Sequence, residues 1–133
     1  MASIFTKIVK GEIPSYKIAE TTDYYAFLDI NPLAKGHTLV IPKKQIDYIF
    51  DIEDELYKGL FSFAKKVGKA IESVVPCKRM GITVIGLEVP HAHIHLIPIN
   101  GLYDMDFKQP KLKFSQEEFE QIAAEIRAAY EKM

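Results

Sequence analysis

The stretch His91-Ala92-His93-Ile94-His95-Leu96-Ile97-Pro98 carries three of the chain's 4 histidines inside five residues. Side chains alternate faces along an extended strand. The spacing therefore predicts a strand over 93–99, with His91, His93 and His95 on one face and Ala92, Ile94 and Leu96 on the other. At the rise of a strand, neighbouring histidines would stand about 6.5–7 Å apart. Imidazole changes charge near neutral pH, so such a row can supply a base, an acid or a nucleophile.

The fourth histidine stands in Lys35-Gly36-His37-Thr38-Leu39-Val40-Ile41-Pro42-Lys43, a glycine followed by a β-branched apolar run. That pattern predicts a strand over 37–42. Every histidine thus lies inside, or at the edge of, a predicted strand. Two further strands are expected at 16–19 and 24–29, separated by the turn-like Thr21-Thr22-Asp23, and another at 81–85. From Asp51 the period changes. Ile52, Leu56, Leu60, Phe63, Val67, Ile71 and Val74 recur at helical steps up to Pro76. Ser115 with Glu118 fits a capping box, and Phe119, Ile122, Ala123, Ile126 and Tyr130 form the apolar stripe of a second helix. Residues 4–13 read as short and mixed, and 102–113 as irregular. Strands grouped together rather than alternating with helices predict an α+β fold with a mostly antiparallel sheet. No repeat, low-complexity run or linker divides the chain, so a single domain over 1–133 is expected.

The 133 residues are 48% hydrophobic and 26% charged, ordinary for a globular protein. Their 17 basic and 18 acidic side chains give a net charge of -1, so no long-range field favours nucleic acid or an anionic membrane. Cys77 is the only cysteine and can form no intrachain disulfide. With no apolar signal core and no bilayer-length apolar run, a cytoplasmic protein with no nucleic-acid or membrane partner is expected.

Four ordered blocks carry a resemblance. They are Ile4-Phe5-Thr6-Lys7-Ile8-Val9-Lys10-Gly11-Glu12-Ile13-Pro14, Ala26-Phe27-Leu28-Asp29-Ile30-Asn31-Pro32, the His37 block, and the triad itself. Together they resemble the histidine triad (HIT) family of nucleotide hydrolases and transferases. The resemblance implies a HIT-like fold: a five-stranded antiparallel sheet with two main helices, joined to a second sheet across a homodimer. It implies a purine nucleotide or nucleotide conjugate as substrate, a nucleoside phosphoramidate or (di)nucleoside polyphosphate opened at the α-phosphate. His93 takes the family's nucleophile position, which becomes covalently nucleotidylated. His91 belongs to the apparatus that holds it. His95 and His37 match positions that contact the phosphate and the leaving group. Asp29 matches the ribose ligand, and Phe5, Ile8, Phe27 and Ile30 match the apolar walls around the base.

The match frays before the triad. Many members carry an asparagine where Ile85 stands, and Gln and Ser where Leu87 and Glu88 stand. An acidic Glu88 beside a phosphate is repulsive unless it is paired or turned away. It could instead orient His37 or His95, or favour an amine-bearing substrate. Some bacterial relatives hold structural zinc through two cysteines near the N-terminus. Ser3 and Thr6 take those positions here, so no structural zinc is expected. No cofactor or catalytic metal is required if histidines supply the charge. Two rival readings stay open: a regulatory module that binds nucleotide with weak or no catalysis, and a histidine metal site completed by Glu88 or His37.

Overall fold

The computed structural model describes residues 1–133. Its elements are α1 (Ile4–Val9), β1 (Lys17–Glu20), β2 (Tyr24–Leu28), β3 (Thr38–Pro42), α2 (Asp54–Val74), β4 (Arg79–Thr83), β5 (Ile94–Ile99) and α3 (Gln116–Glu131). Short 3-10 turns occupy Ile49–Asp51 and Leu102–Met105. The strands form one sheet in the order β1-β2-β3-β5-β4, every neighbouring pair antiparallel. This is the α+β architecture expected from the grouping of the strands.

The two central strands place the chemistry. All of β3 is buried, as are the first five residues of β5. Their register sets Thr38 opposite Leu96 and Leu39 opposite His95. His37, one residue ahead of β3, therefore arrives beside the His95 ring. Gly36 makes that approach possible. Its φ is +90°, and a Cβ there would stand 3.0 Å from a Val75 methyl. Only glycine takes that backbone without strain.

α2 and α3 cover one face of the sheet. Leu60, Phe63, Val67 and Ile71 of α2 and Phe119, Ile122 and Ile126 of α3 pack on Ile18, Ala26, Leu28, Val40, Ile94 and Leu96. Each fully buried aliphatic side chain here contributes about 1.5–3 kcal/mol of transfer free energy. The opposite face carries a smaller cluster, with Phe5 and Ile8 of α1 against Tyr25, Phe27, Leu39 and Ile41. The period-two reading of the triad thus holds. Ala92, Ile94 and Leu96 enter the helix-side core, and the histidines stay on the α1 side.

Some boundaries differ from expectation. Residues 4–13, read as short and mixed, contain α1. Its N-cap is Ser3, whose side chain accepts from the Thr6 amide. A six-residue helix is far below the length that is stable alone; packing of Phe5 and Ile8 on the sheet holds it. β5 starts only at Ile94. His91 and His93 sit in the segment leading into it, tied by Ala92 N–H to Ile46 O at 2.7 Å instead of by a ladder. β4 begins and ends two residues before the expected span, which leaves Ile85 in the loop that follows. The capping box of α3 forms as read, between Ser115 and Glu118. No helix is long and apolar enough to cross a membrane.

Candidate active site

His93 is held from behind. Its Nδ1 lies 2.8 Å from the backbone oxygen of His91 and donates to it. A neutral imidazole carries one proton, so Nε2 keeps a lone pair. His91 is fully buried. Its Nε2 donates to Pro42 O at 2.8 Å, and its Nδ1 is 2.8 Å from Ser3 Oγ. The Phe5 ring stands edge-on to both, with centroids 5.0 Å from His93 and 5.8 Å from His91. Burial holds the His91 pKa below the usual histidine value, against the bond to Pro42.

A second pair of rings has the complementary tautomer. The Leu33 amide donates to His37 Nδ1 at 3.0 Å, which places the His37 proton on Nε2. His37 Nε2 lies 3.0 Å from His95 Nδ1, so His95 accepts there and carries its own proton on Nε2. Burial, then the neighbouring His95, depresses His37 to about 3. Burial, then His93, depresses His95 to about 4. At such values both rings are neutral at pH 7, and His95 carries an N–H on Nε2 rather than a fixed positive charge. The His93 and His95 centroids are 5.0 Å apart. One ring offers a lone pair and the next offers an N–H.

Asp29 completes the group. Its Oδ1 accepts from the Asn31 amide at 2.8 Å, a local turn contact, while Oδ2 lies 3.5 Å from His37 Nε2. Burial raises its pKa, opposed first by the Asn31 bond. Asp29 thus serves a turn with one oxygen and faces the histidines with the other.

A cavity of about 440 Å³ opens over these residues. Phe5, Ile8 and Phe27 are buried in its wall, and Asp29, His93 and His95 are among the polar residues that line it. Ile30 and Glu88 also line it, but Ile30 is 64% exposed, a rim residue rather than core. His37 and His91 do not line it. They stand behind His95 and His93, His37 through its ring nitrogen and His91 through its backbone oxygen, so His37 is not on the cavity surface where the resemblance would put a substrate contact. Phe107 is the residue that sequence reasoning missed. It comes from the segment read as irregular, lines the cavity, and sets its ring 4.9 Å from that of His95. Nothing in its sequence context marks it. A larger groove of about 650 Å³ beside Tyr16, Gln116 and Arg127 carries no histidine.

Asp29, His37 and His95 each have a ligand-type atom within 4.8 Å of the others. Glu88 is not among them. His37 Nε2 and His95 Nδ1 are already hydrogen-bonded to each other at 3.0 Å.

Residues 10–101 match the family model described as HIT domain. The chain belongs to the HIT family. This HIT protein is 40% identical over 129 residues to the adenosine 5'-monophosphoramidase of Schizosaccharomyces pombe, covering 95% of this chain and 96% of that one. Its fold is similar to the crystal structure of a HIT-like protein involved in cell-cycle regulation from Bartonella henselae. The TM-score is 0.83 at 32% identity, over 96% and 95% of the two chains. A Zn-bound histidine triad family protein from Mycobacterium smegmatis is similar at TM-score 0.81 and 25% identity, over 99% and 95%. In the present HIT protein, the loop ahead of the triad exposes Ile85, Leu87 and Glu88 on the cavity side.

Proposed function

We propose that this HIT protein hydrolyses purine nucleotides activated at the α-phosphate, phosphoramidates first, through a nucleotidyl group held on His93. One observation carries the reading: His93 Nδ1–H is committed to His91 O at 2.8 Å, so its Nε2 lone pair is free beside the His95 N–H. In the first step Nε2 attacks phosphorus, an N–P bond forms, and the bond to the leaving group breaks with its electron pair. An amine leaves with a proton that it already carries or takes from water. His95 keeps its own proton, because losing it would leave an imidazolate, and donates a hydrogen bond to a phosphoryl oxygen. A preorganised donor in a site shielded from water stabilises the charge that builds there. In the second step water attacks phosphorus and releases a proton to solvent, the N–P bond breaks with its electron pair returning to His93 Nε2, and the nucleoside monophosphate leaves with His93 neutral. Asp29 would accept from the ribose hydroxyls, and Phe5, Ile8 and Phe27 would hold the base.

The relation to a yeast adenosine 5'-monophosphoramidase supports this choice of substrate. Intact-protein mass spectrometry after brief incubation with adenosine phosphoramidate tests it. A nucleotidyl adduct and released AMP are expected from the parent and neither from His93→Ala. AMP release that survives His93→Ala would overturn the mechanism.

A second reading is favoured by Ile85, Leu87 and Glu88, which depart from the family's polar loop. A parent that binds AMP by calorimetry yet gives neither adduct nor product would be a binding module.

Zinc does not fit the N-terminal corner. The donors gathered there with His91 are two hydroxyls, Ser3 and Thr6, and the Gln45 amide, already bonded to one another. Structural zinc sites of this kind rest on thiolates. The chain is further proposed to be one HIT domain over 1–133, acting in the cytoplasm as a homodimer joined at the free edge of β4. Ile82 is exposed on that strand.

A further inference from the structure

We propose that Ser3, braced by Gln45 and Thr6, is a positioning residue that aims the nucleophile His93 through His91. The inference rests on His93 being the nucleophile, and it assigns a task to a corner of the fold that touches no substrate. Ser3 is the first residue of α1's cap and lies 88 positions from His91 in sequence.

The protons at this corner can be counted. His91 Nε2 gives its proton to Pro42 O, so His91 Nδ1 must accept. Two hydroxyls are near enough to donate to it, Ser3 Oγ at 2.8 Å and Thr6 Oγ1 at 3.4 Å. The Thr6 proton is drawn instead to Gln45 Oε1 at 2.7 Å. Ser3 is therefore the donor to His91. Its lone pair accepts from the Thr6 amide at 3.0 Å, and its own amide donates to the same Gln45 Oε1 at 2.7 Å. Gln45 is in turn anchored by Nε2 on Met1 O at 2.9 Å. Ser3 Oγ also lies 3.2 Å from Thr6 Oγ1, but the 2.8 Å contact to His91 Nδ1 is the shorter one and His91 Nδ1 needs a donor, so the Ser3 proton goes to the ring.

The consequence falls on one carbonyl. The His91 ring is clamped at both nitrogens, by Pro42 O and Ser3 Oγ, and that fixes the backbone that carries His91 O. This oxygen holds the Nδ1 proton of His93. If the ring of His91 loosens, the acceptor moves, and His93 can adopt the other tautomer, with its proton on Nε2 and no lone pair facing the cavity. Ser3 also caps α1, which brings Phe5 and Ile8 to the cavity wall. One hydroxyl thus keeps the wall and the nucleophile in register. Displacements of about 1 Å in such an arrangement cost on the order of 100-fold in rate.

The test follows the first turnover by rapid quench, with Ser3→Ala, Ser3→Thr and Gln45→Ala. Gln45 is exposed, so its variant should fold even if Ser3→Ala does not. Ser3→Ala is expected to slow nucleotidylation roughly 10- to 100-fold while the amplitude stays at one adduct per subunit. Ser3→Thr, which restores a hydroxyl, is expected to recover most of the rate. Gln45→Ala should give a smaller slowing of the same kind. A purely structural role would instead lower the amplitude and leave the rate of the remaining adduct unchanged; that result overturns the proposal.

The nitrogen-15 spectrum of the imidazoles reads the same relay without substrate. The parent should show His93 protonated at Nδ1, and Ser3→Ala should show a mixture with Nε2–H. An unchanged His93 tautomer in Ser3→Ala overturns the proposal. A parent that forms no adduct overturns the nucleophile reading instead, and the spectrum still decides whether Ser3 aims the ring.

Discussion

At the residue scale the site is a set of tautomers fixed by hydrogen bonds. His37 has its proton placed by the Leu33 amide and passes the assignment to His95. Replacing His37 by Ala would leave His95 Nδ1 without a donor and free the ring to rotate. A fall in kcat of roughly 10- to 100-fold is expected, with KM changed much less; steady-state kinetics on adenosine phosphoramidate would show it. Glu88 acts in the opposite sense. It lines the cavity and is among the charges that raise Asp29, so it places negative charge where the proposed anionic substrate would lie. Glu88→Ser should raise kcat/KM for a dinucleoside polyphosphate by several-fold, and the gain should shrink as salt is added. An unchanged salt profile would remove Glu88 from the site. Asp29 and the triad were legible in the sequence because their residue types are chemically distinctive at that spacing. Phe107 was not, because an aromatic residue in an irregular segment looks the same whether it faces a histidine or solvent.

At the scale of elements, each helix and turn is held by a different cause. α2 and α3 could be read from apolar periodicity, since a stripe repeated over several turns is a strong signal. α1 could not. It spans six residues, too few for a period to show, and exists because Phe5 and Ile8 find a sheet face to cover. The turn into β3 depends on Gly36 at φ +90°, packed against Val75 and Ile71. Gly36→Ala combines a strained backbone with a close approach and should cost about 1–3 kcal/mol, measured by urea unfolding. A change within about 0.5 kcal/mol would show that the turn relaxes freely. Because His37 follows directly, the activity of the surviving folded fraction should fall as well.

For the whole molecule, the buried histidines make stability depend on pH. The folded pKa values of His37, about 3, and His95, about 4, lie below the ordinary 6.5, and His91 is lowered too. Between the folded and unfolded values the unfolded chain binds more protons, so acid favours unfolding. The stabilising contribution is fully present above about pH 6.5 and is lost as pH falls towards 4 and then 3. Asp29, raised by burial, works in the opposite direction, from its ordinary carboxylate value upward. Thermal midpoints should therefore drop steadily below about pH 6.5, and a variant with both His37→Asn and His95→Asn should show a flatter slope. Assembly belongs to this scale as well. The outer edge of β4 is unpaired within the chain, and exposed sheet edges recruit partners. Sedimentation equilibrium should give twice the mass of 15.2 kDa, and Ile82→Lys should shift it towards the monomer.

The sequence by itself determined the sheet, its two long helices, the face on which the histidines lie and the family. The elements follow from local periodicity and from residue types at a fixed spacing, both carried by neighbours in the chain, and the family from the likeness of four ordered blocks to a known one. Only the tertiary structure decided which histidines face the cavity and which stand behind it. It also decided which nitrogen carries each proton, and that Ser3 meets His91. Those facts depend on contacts between residues 58 and 88 positions apart. Closing such distances is a property of the packed sheet, and no window of sequence contains both partners.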